Sequence, residues 1–223
     1  MMRSIRASLF AALALVSAAA VAFASPVPYK IDPVHSEVGF KVRHFFTKVP
    51  GRFNDFEGTI LLDDKDLTAS TVDVTIQTAS IYTNNERRDK HLRSEDFFFA
   101  EKFPTITFKS TKVVPGEGQK FKIDGDLTMR GVTKPVTLDA ELVGMGTVGM
   151  MGSRAGFEAT TQVNRKDWGI NWNKVLDNGG RMLDDNVAIE LGVEAFKEEP
   201  KQGDAKPGAA APTAPDKAGA GKK

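Results

Sequence analysis

The chain has 223 residues, and its 30 Lys and Arg residues nearly balance its 29 Asp and Glu residues. That balance gives no general reason to expect nucleic-acid binding, which usually needs an excess of clustered positive charge. The absence of cysteine excludes disulfides, thiolate metal sites, a cysteine nucleophile and a lipid attached to an N-terminal cysteine.

Residues 1–24 have the pattern of a secretory signal peptide. Two arginines precede an uncharged apolar run over residues 9–21, and residues 22–24 fit the small-x-small pattern before a cleavage site. We expect cleavage near Ala24, a mature chain that begins at Ser25, and a periplasmic or secreted location. The apolar run is shorter than the ~20 residues of a membrane span, so we expect no integral membrane span after cleavage. An uncleaved anchor is the alternative.

The hydrophobic period of the middle of the chain is two, which is the period of a β-strand with one apolar face. Eight such runs cover residues 38–42, 56–62, 72–76, 106–108, 121–129, 136–142, 155–159 and 187–193. Turn-forming stretches at 63–66, 115–118 and 144–152 separate several of them. We therefore predict one all-β domain over residues 25–196, an eight-stranded antiparallel barrel. A two-sheet sandwich is the alternative, but only closure removes the exposed edges.

One segment departs from this period. Residues 84–94 are mostly charged and lack β-branched side chains, which predicts a short helix with Asn84 or Asn85 as its N-cap. The helix leads into three consecutive phenylalanines at 97–99. We expect this aromatic cluster and the helix to close one mouth of the barrel.

The sizes of the inward-facing residues do not decide whether the barrel interior is filled by side chains or contains a cavity. Small residues alternate with large ones on the inward face; they are Gly58, Gly125, Ala140, Ala155 and Ala159. An eight-stranded barrel is either filled by its own side chains or holds one small ligand. Small residues favour a cavity unless their large neighbours fill the space.

The C-terminal segment, residues 197–223, differs in composition. It consists mainly of Lys, Ala, Pro, Gly, Glu and Asp. Such a segment buries too little apolar surface to offset the entropy of ordering it. We predict a disordered tail.

A series of short motifs runs through the predicted domain: IDPVHS at 31–36, VRH at 42–44, VPGRF at 49–53, SIYT at 80–83, RDKHLRS at 88–94, KFPTITF at 102–108, GDLTMRGVTKP at 125–135, AGF at 155–157 and NRKDWG at 164–169. In its order and spacing this series resembles the YceI-like polyisoprenoid-binding family, over nearly all of residues 29–196. The resemblance implies a lipocalin-like barrel with a helix at one end. It also implies an exported protein with a long internal pocket for an isoprenoid chain, such as a polyprenyl phosphate or a quinone tail.

The inward-facing runs and the resemblance together define the expected apolar ligand pocket. Its predicted residues are Phe40, Val42, Phe53, Phe56, Ile60, Val74, Ile76, Phe97, Phe98, Phe108, Phe121, Ile123, Leu127, Leu138, Phe157 and Trp168. Trp168 stands where the family usually has a small aromatic residue, and we expect it to narrow one end of the pocket. The predicted head-group contacts are His35, Arg88, His91 and Arg165.

Structural roles compete with these assignments. Arg88 and Arg165 can each bind a phosphate. Each can equally have a structural role, in which it holds a loop against the end of the barrel. Asp89 and Arg93, four residues apart, predict a surface ion pair. The three histidines are far apart in sequence, so we expect no metal, and nothing indicates a cofactor.

Catalysis is not expected, because no nucleophile elbow, zinc-protease motif or phosphate loop is present. The sequence thus favours a binding protein that is not an enzyme. Two alternatives stay open: an enzyme acting on a lipid at the pocket mouth, and an envelope stress or interaction protein without a lipid. A monomer and a homodimer both fit the sequence.

Overall fold

A computed structural model describes residues 25–175 and 180–198; the predicted signal peptide and all but the first two residues of the predicted tail lie outside these ranges. The strands are β1 (Val27–Ile31), β2 (Glu37–His44), β3 (Thr47–Phe53), β4 (Phe56–Leu62), β5 (Thr71–Gln77), β6 (Ile81–Tyr82), β7 (Thr105–Pro115), β8 (Lys120–Met129), β9 (Val132–Thr147), β10 (Ser153–Asn164) and β11 (Leu183–Lys197). The single α-helix of the described residues is α1 (Glu86–Arg93). Short 3-10 turns occupy Leu67–Ala69, Thr78–Ser80, Gly149–Met151 and Arg165–Trp168.

These segments form a closed barrel of eight antiparallel strands. The first three barrel strands are bent, so each consists of two segments: β1 with β2, β3 with β4, and β5 with β6. β7 to β11 follow in chain order, and β11 closes the ring by pairing with both β1 and β2. The predicted eight-stranded barrel is confirmed. Each predicted run lies in a different barrel strand.

The strands form where the alternation is cleanest. In β8 every second residue is buried, from Phe121 through Ile123 and Gly125 to Leu127 and Met129, while the residues between them face outward. The same alternation in the other strands brings their apolar faces to the inside of the ring. The core is therefore the inner surface of the barrel.

Helix α1 lies at one end of the barrel, as predicted. Asn85 is the N-cap, since its side chain accepts a hydrogen bond from the backbone N–H of Arg88. After the helix, Phe98 packs edge-on against Phe53 of β3, with ring centroids 5.7 Å apart. Among the described residues, no helix is long and apolar enough to cross a membrane.

The small inward residues do not all leave room. A Cβ on Gly125 would lie 2.4 Å from the ring of Phe108, because that ring lies directly over the glycine. A Cβ on Gly58 would lie 2.7 Å from the side chain of Ile31. At these two positions large neighbours fill the space, which is one of the two alternatives that the sequence left open.

The ordered domain extends slightly beyond its predicted end. β11 runs to Lys197, and the backbone N–H of Glu198 donates to the carbonyl of Pro28 at 3.1 Å. The strand thus reaches the first residue of the predicted tail. Pairing with the first strand holds the chain in the sheet through this point.

Candidate ligand cavity

The interior of the barrel contains a cavity of about 880 Å³. Every barrel strand contributes to its lining, and nearly all of the lining side chains are apolar. Ligand pockets usually have volumes of about 300–1,000 Å³. The barrel is therefore not filled by its own side chains and has room for an elongated apolar molecule.

The predicted pocket residues surround this cavity, with the exception of Trp168. Trp168 ends the 3-10 turn after β10, is 2% exposed, and donates its indole N–H to the carbonyl of Leu127 at 3.2 Å. It packs against the barrel without contributing to the lining, so it does not narrow the pocket. Ile170 and Trp172, slightly further along the chain, line the cavity instead.

Several lining residues were missing from the predicted pocket. The largest group comes from β11; its members are Val187, Ile189, Leu191 and Val193. The period-two alternation of residues 187–193 predicts a strand, and the same alternation is sufficient to place these four side chains on its inner face. By contrast, Trp172 and Met182 lie outside regular strands, where no periodicity reveals which way a side chain points.

Polar lining residues gather at the end that carries α1. Thr83, Asn85, Arg87, Arg88 and His91 line the cavity there. His44 from the end of β2 and Arg165 from the end of β10 join them. No Asp or Glu is among the lining residues of the described ranges. We call this end of the cavity the mouth, and the three arginines of the lining lie there.

Arg88 is held at the mouth by Thr83. Its Nε donates to Thr83 Oγ1 at 2.7 Å and its Nη2 to the Thr83 carbonyl at 2.6 Å. Asp89 is buried and accepts from the backbone N–H and the hydroxyl of the same threonine. Arg93 instead donates to the carbonyls of Ala79 and Ile81. The predicted surface pair of Asp89 with Arg93 is therefore wrong, because both side chains bind the segment before the helix.

Arg165 is 5% exposed and has protein partners on every side. Its guanidinium donates to the carbonyls of Asp184, Ile170 and Trp172 at 2.7–3.0 Å, and to Asp185 Oδ1 at 3.2 Å. Burial lowers the pKa of the guanidinium, and the charge of Asp185 opposes that shift. The side chain lines the cavity, but these bonds tie the loop after β10 to the start of β11.

His91 also lines the mouth. Its Nε2 lies 2.7 Å from Asp96 Oδ2, and its ring packs edge-on against Phe97 and Trp172 at centroid distances of 5.0 and 4.9 Å. The carboxylate and the two aromatic rings fix the orientation of the imidazole. Of the four predicted head-group residues, Arg88, His91 and Arg165 thus lie at the mouth.

The sequence matches the YceI-like domain family over residues 29–195. The chain belongs to the YceI-like family. Protein YceI of Escherichia coli O157:H7 is 44% identical over 173 residues, which cover 76% of this chain and 88% of that relative. The resemblance inferred from the motif series is confirmed.

Solved structures agree with this membership. The YceI protein of Campylobacter jejuni is 33% identical, with a TM-score of 0.63 over 75% of this chain and 96% of that one. A domain of Saccharophagus degradans, described as polyisoprenoid binding, has a TM-score of 0.58 over 77% of this chain and 99% of that one. Its 13% identity supports a shared fold alone.

His35 lies outside the cavity of this YceI-like domain. The side chain is 60% exposed, and its Nδ1 lies 3.0 Å from Asp32 Oδ2 in the bend between β1 and β2. The bend is part of the barrel wall, away from the mouth. The structure does not bring His35 together with the other predicted head-group residues.

His35, Asp32 and Glu194 form a cluster whose potential metal-ligand atoms lie within 4.8 Å of one another. Arg154 already occupies this cluster, because its Nη1 donates to Asp32 Oδ2 at 2.9 Å and to Glu194 Oε1 at 2.6 Å. Hydrogen bonds from His35 and Arg154 lower the pKa of Asp32 to about 2. The guanidinium thus offsets one of the two negative charges, and the cluster joins the bend after β1 to β10 and β11.

Proposed function

We propose that this YceI-like protein is an exported binding protein that holds the chain of a long isoprenoid-type lipid inside the barrel. The observation that carries the proposal is the apolar cavity of about 880 Å³ enclosed by a closed ring of strands. Support comes from the Saccharophagus degradans domain of the same fold, which is described as polyisoprenoid binding.

Burial of an apolar chain provides enough affinity for such a role. Drug-sized and larger ligands gain about 0.3 kcal/mol per heavy atom. A chain of about forty carbons then has a binding free energy of about −12 kcal/mol, which corresponds to a dissociation constant of about 1 nM. No covalent bond to the protein is required.

The proposed orientation places the lipid's polar end at the mouth. Arg87 and Arg88 line the cavity there together with His91, and no lining residue in the described ranges carries negative charge. A phosphate or another group with acceptor oxygens suits such a site. Arg165 contributes its positive charge more than its hydrogen bonds, because its donors already have protein acceptors.

Binding without turnover fits the state of the polar groups. Arg88 and Asp89 are bonded to Thr83, and His91 lies against Asp96. These contacts hold the end of the barrel together. We therefore propose a binding role rather than an enzymatic one. The predicted signal peptide of residues 1–24 supports a site of action outside the cytoplasm.

Native mass spectrometry of the mature protein, purified from its host without detergent, tests the proposal. We expect a bound mass in the range of an isoprenoid lipid, and uptake of an added polyprenyl phosphate or quinone by emptied protein. The lipid recovered after prolonged incubation should have an unchanged mass, whereas an enzyme would alter it. An empty protein that takes up neither lipid would exclude the proposed function.

Ala159→Phe locates the bound lipid. Ala159 is buried in β10 and lines the cavity, so a phenyl ring there should displace most of the lipid. Thr160→Phe is the matched control, because Thr160 is the next residue of the same strand and is exposed. Equal lipid occupancy in the two variants would place the lipid outside the cavity.

A further inference from the structure

The hairpin between β2 and β3 carries an exposed aromatic tip. Its two turn residues are Phe45 and Phe46, between the paired residues His44 and Thr47. Phe46 is 93% exposed and Phe45 is 38% exposed. The ring of Phe46 is almost fully hydrated, so it adds no packing energy to the isolated protein. Together with Phe45 it forms a contiguous exposed apolar patch, and such patches often mark interaction sites.

The backbone of the turn is also unusual. Phe45 has a φ of 51°, in the left-handed region. Two-residue hairpin turns usually place Gly, Asn or Asp at positions with positive φ, and a bulky residue there carries strain. Strain of this kind is commonly found at functional segments.

Positive charge flanks the tip. Arg43 and Lys48 are directly opposite each other on β2 and β3, and both are exposed. Like charges at facing positions destabilise a sheet. Neither side chain forms an ion pair within the part of the chain that the structure describes. Arg43 Nη1 donates to the carbonyl of Phe46 at 3.5 Å, which holds this cation close to the tip. The hairpin thus combines an apolar tip with two cations that have no ion-pair partner among the described residues.

Acidic residues nearby do not cancel this charge. Asp184 and Asp185 lie beside Arg43 and Phe45 on the surface. Asp185 already pairs with Arg165, Lys166 and Arg181. With Asp184 counted, this group has three cations and two acids. Together with Arg43 and Lys48, the described residues around the tip therefore keep an excess of positive charge.

The tip is continuous with the mouth of the cavity. The ring of Phe45 packs edge-on against His44 at 4.4 Å, and the backbone N–H of Phe45 donates to the carbonyl of Met182 at 3.0 Å. His44 and Met182 both line the cavity. Any partner surface that contacts Phe46 will therefore lie next to the mouth of the cavity.

We propose that the β2–β3 hairpin docks the protein on an anionic lipid bilayer, with Phe46 inserted at the headgroup level and Arg43 and Lys48 against the anionic headgroups. Apolar residues that enter the interface and cations that face anionic lipids act together in membrane-surface binding. This inference rests on the proposed function, because docking at the mouth gives a membrane lipid a direct path into the cavity.

The barrel offers a matched control at its opposite end. The hairpin between β9 and β10 exposes Val148, Met150 and Met151, and Met150 is fully exposed. Residues 142–153 include no charged side chain. This second tip is as apolar as the first but lacks its cations and lies far from the mouth.

Co-sedimentation of the mature protein with vesicles tests the docking surface. One set contains phosphatidylglycerol in phosphatidylcholine, and the other contains phosphatidylcholine alone. We expect the wild type to prefer the anionic set and to dissociate with added salt. Phe46→Ser should reduce the partition coefficient about tenfold or more, as expected for loss of a buried phenyl group. Arg43→Gln with Lys48→Gln should remove the preference for anionic vesicles, while Met150→Ser should bind as the wild type does.

Native mass spectrometry, read together with the vesicle assay, separates this inference from the proposed function. Native mass spectrometry of Phe46→Ser should show the same bound lipid as the wild type, because Phe46 does not line the cavity. An empty cavity with Phe46-dependent vesicle binding would refute the carrier role and retain the docking surface. Vesicle binding that is absent, or that depends on Met150 instead of Phe46, would overturn the docking proposal. So would a homodimer that Phe46→Ser dissociates, since a second copy would then cover the tip.

Discussion

At the scale of single residues, Arg165 shows why a cation at a pocket is not automatically a ligand contact. Its guanidinium donates to three carbonyls and one carboxylate, in the loop after β10 and at the start of β11. Removing the side chain leaves those acceptors without a donor in a largely buried place, and unsatisfied buried polar groups are costly.

We therefore expect Arg165→Met to lower the free energy of unfolding by about 3 kcal/mol. Arg88→Met is the comparison, because the Arg88 side chain is exposed and, within the described residues, its guanidinium donates to Thr83 alone. Its loss should cost about 1 kcal/mol. Urea unfolding measures both. If Arg165→Met kept wild-type stability but lost the bound lipid, Arg165 would be a head-group contact instead.

Asp32 makes the stability of the barrel depend on acid pH. Bonds from His35 and Arg154 lower its pKa to about 2, below the usual 3.8. Because the folded protein favours the ionised carboxylate, this contribution is fully present above about pH 4 and is lost as the pH falls toward about 2.

Asp32→Asn should therefore flatten the loss of stability between about pH 4 and pH 2. The variant should be less stable than the wild type near neutral pH, and the difference should shrink on acidification. Urea midpoints across the acid range measure this. Parallel pH profiles for the two proteins would show that Asp32 is not the group responsible.

At the scale of elements, adjacent strands fit each other through pairs of large and small residues. Phe108 of β7 lies over Gly125 of β8, where a Cβ would come within 2.4 Å of the ring and 2.7 Å of the Lys109 carbonyl. The Lys109 carbonyl belongs to the backbone of β7, so it cannot move away as a side chain can. Gly125 is thus required for packing and does not widen the cavity.

Gly125→Ala should destabilise the protein by about 1 to 3 kcal/mol, the usual cost of overpacking. Gly144→Ala is the control, because Gly144 lies in β9 and its Cβ would have no neighbour within 4 Å. Thermal or urea unfolding compares the two variants. A neutral Gly125→Ala would mean that the Phe108 ring moves easily, into the cavity.

At the scale of the whole molecule, the strands that close the barrel end by residue 198. The last described contact joins Glu198 to Pro28, and the cavity lining ends earlier, at Val193 of β11. A chain that covers residues 25–198 contains every element of the proposed lipid site. The remaining residues have the composition of a disordered tail.

We expect the chain of residues 25–198 to bind the same lipid as the mature full-length protein and to unfold at the same urea concentration. Native mass spectrometry and a urea titration check the two properties. A shorter chain that ends at residue 193 lacks the end of β11, which pairs with β1, and should be much less stable. If the chain of residues 25–198 lost the lipid while the full-length mature protein kept it, the tail would have a part in binding.

The sequence by itself determined the fold, the number of strands and most of the pocket. Alternation with a period of two is sufficient to say which side chains share a face, and closure of the sheet brings those faces together. The charged segment with Asn85 as its N-cap determined the helix in the same local way. The motif series determined the family, because its order and spacing extend over nearly the whole domain.

The tertiary structure alone decided which polar groups meet and which small residues leave space. Asp89 bonds to Thr83 instead of Arg93, Trp168 packs outside the cavity that Trp172 lines, and His35 lies on the barrel wall. Irregular segments have no period that fixes the direction of a side chain, and the volume left by a glycine depends on a neighbour from another strand. Contacts of this kind are set by residues far apart in sequence, which is why the alternation predicted the barrel but not its mouth.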